Sequence, residues 1–79
     1  MAALGRGDYA TAMRFVRPIA DQGDAKAQMV LAGMYYNGLG VPQDYVASVN
    51  WVRRAANQGD AAAQTVLGEA YYRGRGVAQ

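Results

Sequence analysis

The chain contains no cysteine and no histidine. The first absence excludes disulfides and thiolate chemistry, and the second removes the commonest general base and the commonest metal ligand. Proline occurs twice, as Pro18 and Pro42. No apolar run approaches the roughly 18 residues of a membrane span, and Met1-Ala2-Ala3-Leu4 has no signal-peptide core behind it. As given, the chain reads as cytoplasmic; with a leader removed it would read as periplasmic or secreted. Charge is sparse: eight basic residues against six acids leave a net +2, well short of the dense basic cluster of a nucleic-acid binder. At 79 residues there is room for one domain at most. Alanine is abundant, and six tyrosines, one tryptophan and one phenylalanine supply the bulk.

What the chain does have is a repeat. Setting Asp8–Gln43 against Asp44–Gln79 pairs 36 positions without a gap, and 19 are identical. QGDAKAQ at Gln22–Gln28 returns as QGDAAAQ at Gln58–Gln64. The shared skeleton includes Gly23/Gly59, Leu31/Leu67, Tyr35/Tyr71, Gly38/Gly74 and Gly40/Gly76. This divides the chain into a lead-in (1–7) and two units (8–43 and 44–79).

Each unit predicts two helices. Asp44 is an N-cap residue whose carboxylate can accept from the first turn, and the helix behind it should end near Asn57, with Gly59 in the left-handed conformation. Asp60 then caps a helix that stops before Gly74 and Gly76. Asp8, Gly23, Asp24, Gly38 and Gly40 repeat the pattern, so QGDA is the joint of a helical hairpin. At 100° per residue, Tyr45, Ser48, Val49, Trp51, Val52, Ala55 and Ala56 share an arc roughly 160° wide, broad enough for a helix wedged between two neighbours. Ala63, Val66, Leu67, Ala70 and Tyr71 share a face of the following helix, and Gly68 is expected to permit close backbone approach. Tyr35, Tyr36, Tyr71 and Tyr72 read as packing residues. Pro18 removes an amide donor inside the first helix and crowds the carbonyl of Arg14, predicting a kink or a looser turn, with a functional hinge as the sharper alternative.

These residues resemble the Sel1-like repeat family, a relative of the tetratricopeptide repeat. The second unit carries most of the likeness, through Asp44, Tyr45, Trp51, Ala55, Ala56, Gln58, Gly59, Ala61, Ala63, Gln64, Leu67, Gly68, Tyr71, Gly74, Gly76 and Val77. It departs at Ser48, where the family usually has alanine. The first unit has Phe15 for tryptophan, Ile19 for alanine, and Pro18. A tetratricopeptide array would repeat every 34 residues or so, which the gapless match disfavours. The resemblance implies an all-α, α-α superhelix of two helix-turn-helix units, four helices in all, acting as a scaffold. Relatives include adaptors of protein quality control, signalling regulators and bacterial proteins of envelope or host interaction. It brings no catalytic residues and no cofactor.

The residues themselves agree that this is no enzyme. No nucleophile–base pair can be assembled. Asp8, Asp24, Asp44 and Asp60 are caps at the ends of different helices, which argues against a metal site. The Gly-x-Gly pairs lack the lysine and helix start of a phosphate loop. Gln28 and Gln64 are expected to satisfy backbone groups of the joints. One constellation invites binding: the polar arcs of the first helices superpose, with Arg14 over Asn50, Arg17 over Arg53, and Pro18 over Arg54. If first helices line the concave side, as in tetratricopeptide-like solenoids, Arg14, Arg17, Asn50, Arg53 and Arg54 form a basic groove floor for a protein or peptide of acidic character. The plain alternative is a solvated face with arginines offsetting helix dipoles. A second reading is a self-associating module, a fragment of a longer array or a homo-oligomer formed through exposed terminal faces by repeat stacking or helix exchange. Nucleic acid is not an expected partner.

Overall fold

Four aspartates set where the helices begin. In a computed structural model that describes residues 8–76, the helices are α1 (Tyr9–Asp21), α2 (Ala25–Asn37), α3 (Tyr45–Asn57) and α4 (Ala61–Arg73). The lead-in (1–7), Val77 and Gln79 lie outside those residues. Each helix starts directly after an aspartate whose Oδ1 accepts a first-turn N–H: Thr11 to Asp8 at 3.2 Å, Ala27 to Asp24 at 2.8 Å, Ala47 to Asp44 at 3.0 Å and Ala63 to Asp60 at 2.8 Å. A cap of this kind contributes typically about 1 kcal/mol. No strand occurs among the described residues.

The QGD joint explains its own repetition. Gly23 has φ +105°, and its N–H donates to Ala20 O at 3.0 Å, while the Asp24 N–H donates to Ile19 O at 3.3 Å. Gly59 and Asp60 do the same to Ala56 O (2.9 Å) and Ala55 O (3.4 Å). This is the paired closure in which a left-handed residue lets two amides satisfy carbonyls of the finished helix. The aspartate that closes one helix then caps the next, so three residues reverse the chain with few orphaned polar groups.

Each helix packs on the next in sequence, and the most extensive contact joins the hairpins, between α2 and α3. The core follows the expected arc. Ser48, Val49, Trp51, Val52, Ala55 and Ala56 of α3 are buried against Leu31, Ala32 and Met34 of α2, with Ala63 of α4 buried behind them. Two polar side chains go inside with partners. Ser48 Oγ donates to Ala32 O at 2.7 Å, a bond an alanine could not make. Gln28 Nε2 donates to Ala20 O at 3.1 Å, and its Oε1 accepts from Gln58 Nε2 at 2.9 Å. Gln64 Nε2 likewise donates to Ala56 O at 3.2 Å, so both glutamines serve the joints as expected.

Because Gln28 is buried and its repeat-mate Gln64 is exposed, the same substitution should cost different amounts. Gln28→Met removes the buried side-chain bonds to Ala20 O and from Gln58, leaving the Ala20 carbonyl one donor short, and is expected to destabilise by about 1–3 kcal/mol. Gln64→Met should cost less, roughly 1 kcal/mol or below. Urea midpoints of the two variants check this; equal losses would contradict it.

Three expectations need correction. Helix α1 runs unbroken through Pro18. The ring is exposed, three residues from the helix end, and the turn recloses when the Gln22 N–H reaches Pro18 O at 3.1 Å. The lost bond therefore falls where the Arg14 carbonyl can find water. Gly68 permits no close approach, since a Cβ there would meet nothing within 4 Å among the described residues. The tight passages are instead at Gly40 and Gly76, where a Cβ would lie 2.6 Å from the Tyr9 carbonyl carbon and 2.4 Å from Tyr45 O. Finally, Val66, Tyr71 and Tyr72 of α4 are exposed, because among the described residues no helix follows to cover them as α3 covers α2.

Candidate functional site

The five polar residues read as a ladder fall into separate groups. Arg17 of α1 and Arg54 of α3 converge on Trp51, their guanidinium carbons 5.4 and 4.5 Å from its ring centroid. Trp51 itself is buried, so the indole is a fixed platform over which both arginines lie. Contacts of this kind contribute about 0.5–1 kcal/mol each when exposed. Arg17 also meets Asp21 across one helical turn at 3.5 Å, an exposed ion pair worth at most about 1 kcal/mol. Arg53 turns the other way, toward α4: it donates to Tyr71 Oη at 3.0 Å and lies 5.7 Å from that ring. Arg14 and Asn50 are exposed on the polar sides of their helices.

Helix geometry explains the division. Residues 53 and 54 point about 100° apart, so one arginine follows the α1 side of α3 and the other the α4 side. Arg17 is one turn after Arg14 on α1, and Pro18 takes the place that Arg54 has on α3. Arg17 and Arg54 thus meet at Trp51, while Arg53 lies on the adjoining flank with Tyr71.

A second feature was not anticipated. Between α2 and α4, over the opposite side of α3, lies an apolar cleft of about 270 Å³. Met29, Tyr36, Val49, Val52, Val66 and Ala70 line it, with Glu69, Arg73 and Arg75 at its rim. None of the five sequence-selected residues lines it. At one end the Tyr36 and Tyr45 rings meet at 5.0 Å with a 43° tilt, and Arg75 packs over both rings while donating to Tyr36 Oη. The sequence carried a faint signal for this corner: Arg75 stands where the first unit has Leu39. Nothing local shows that α2 and α4 stand apart.

No group of histidine, cysteine, aspartate or glutamate that could hold a metal occurs among the described residues. No helix there is long and apolar enough to cross a membrane. The Gly-x-Gly segments serve as turns: Gly38, Gly40, Gly74 and Gly76 all have φ between +68° and +78°.

Comparison with known proteins places this geometry. The sequence model of the Sel1 repeat matches residues 25–60 and 61–79, units that open on α2 and α4. Among solved structures, a Sel1 repeat protein from Oxalobacter formigenes is 43% identical with a TM-score of 0.83, over 86% of this chain and 51% of its own. The c5321 protein, a protective antigen of uropathogenic Escherichia coli strains displaying an SLR fold, is 40% identical with a TM-score of 0.82. That match covers 87% of this chain and 15% of c5321. The chain thus spans about half the length of one relative and a small part of the other. No curated protein matches it.

Proposed function

The chain belongs to the Sel1 repeat family, and from that premise we propose that it is a non-catalytic scaffold that binds a protein or peptide of acidic character through its arginine surface. Members of this family typically mediate protein interactions. The observation that carries the reading is the convergence of Arg17 and Arg54 on the buried Trp51. Two cations held on one rigid ring have lost part of their conformational freedom before a ligand arrives, which reduces the ordering cost of binding. Arginine suits the task because its planar fork pairs with a carboxylate bidentately. Arg14 and Arg53 extend the positive field, and Asn50 offers both donor and acceptor to a peptide backbone. The Asp21 carboxylate on Arg17 is an exposed, exchangeable partner that an incoming acid displaces.

The proposed scaffold has a lead-in (1–7) and two units, 8–43 and 44–79, each holding one complete hairpin.

The single tryptophan makes the test direct. Titration with a glutamate- and aspartate-rich peptide should change Trp51 fluorescence, and affinity should fall as salt screens the charges. Arg17→Glu combined with Arg54→Glu should abolish the response while helicity, read by circular dichroism, is retained. An unchanged affinity in the double variant, or equal binding of a neutral peptide of the same length, would remove the arginine surface from consideration.

A further inference from the structure

We propose that α4 of one copy docks α1 of a second copy, in the register by which α2 docks α3 inside the chain. The argument is a comparison of equivalent positions, 36 residues apart, on either side of one interface. On α3, Trp51 is 8% exposed and Ala55 0%; their counterparts on α1, Phe15 and Ile19, are 71% and 48% exposed. On α2, Gln28 and Ala32 are buried beneath α3; their counterparts on α4, Gln64 and Gly68, are exposed. The chain therefore carries both halves of the α2–α3 contact a second time, on opposite ends and uncovered among the described residues.

The two faces match in chemistry as well as in position. Gln28 donates to Ala20 O and accepts from Gln58. Gln64 already makes the first of these bonds, to Ala56 O, which leaves its Oε1 placed to accept from Gln22, the counterpart of Gln58. Arg17 carries its guanidinium to Trp51 across the α1–α3 gap. Arg53, its counterpart, is placed to meet the Phe15 ring of the second copy in the same way. The open space at Gly68 stands where Ala32 accepts the Ser48 hydroxyl on the internal face. The occupant is thus specified by the internal contact that already satisfies these groups.

The two faces differ from each other, so the association is head-to-tail and does not close on itself as a symmetric dimer does. It does not depend on the acidic-peptide reading, whose test uses Arg17 and Arg54.

Sedimentation velocity of the full chain, from low micromolar to near-millimolar concentration, should show mass rising from one chain to two and beyond. Phe15→Glu and Gly68→Arg each change an exposed position on one face only, and each variant alone should remain monomeric and helical. Mixed in equal amounts, they should form a species of two chains that grows no further, because each supplies the face the other lacks. Ile19→Glu repeats the α1 block at an independent position. A wild-type chain that stays monomeric throughout overturns the proposal. So does single-variant assembly, or a mixture that stays monomeric while the wild type assembles.

Discussion

Trp51→Ala is expected to remove about 3–5 kcal/mol of stability, out of the roughly 4–12 kcal/mol that 0.05–0.15 kcal/mol per residue implies for a chain of this length. The indole is buried where α1, α2 and α3 meet. The loss combines the transfer free energy of the ring with the cavity left behind, and Arg17 and Arg54 lose their platform. Phe15→Ala is the informative control. It sits at the same position of the other unit but is largely exposed, and its removal should change stability by about 0.5 kcal/mol or less. Urea unfolding at low protein concentration, followed by far-ultraviolet circular dichroism, separates the two. A similar loss in both variants would mean that α3 is not wedged between neighbours as described.

Gly40→Ala should cost roughly 3 kcal/mol through a different mechanism, backbone against backbone. Gly40 has φ +76°, a conformation that costs an L-residue about 1–2 kcal/mol. Its missing side chain also faces the Tyr9 carbonyl, with a Cβ only 2.6 Å from the carbon and 2.7 Å from the oxygen. Neither atom can rotate away as a side chain can, so the loop must lift from the start of α1. Two controls isolate the contributions. Gly23→Ala meets positive φ but open space and should cost only the conformational part, about 1–2 kcal/mol. Gly68→Ala lies in a helix with open space around it and should stabilise by about 0.5–1 kcal/mol. The order of urea midpoints is then Gly68→Ala above wild type, followed by Gly23→Ala and Gly40→Ala. Any other order would contradict the contacts described for Gly40.

How much of this could be read in advance depended on the range of the forces involved. Caps and joints depend on residues a few positions apart, and Asp8, Asp24, Asp44, Asp60, Gly23 and Gly59 were all legible. The buried arc of α3 was legible too, because a periodic pattern reports which side of a helix seeks cover. The same pattern misjudged Val66, Tyr71 and Tyr72, since it describes an array in which every face has a neighbour. Pro18 was misjudged because the penalty for a missing amide depends on whether the abandoned carbonyl reaches water. Ser48 reads in the sequence only as a departure from the family's alanine, yet its hydroxyl finds Ala32 O on another helix. The surroundings of the arginines were half legible. That Arg17, Arg53 and Arg54 belong to a polar arc follows from spacing, but which aromatic ring each one meets depends on how two hairpins stack. For the cleft between α2 and α4, only Arg75 in place of Leu39 hinted at one corner; the gap between the two helices left no local trace.

The three-residue joint has a consequence for how the molecule acquires its shape. Each turn completes its bonding with atoms from the helix just finished, so a hairpin can form as soon as its own segment is available, wherever in the chain that segment lies. The contacts that follow link segments adjacent in sequence, and chains built from such near neighbours reach the native state quickly, on the microsecond-to-millisecond scale. A gene that lengthens by copying one such segment would append a part that already knows how to bend.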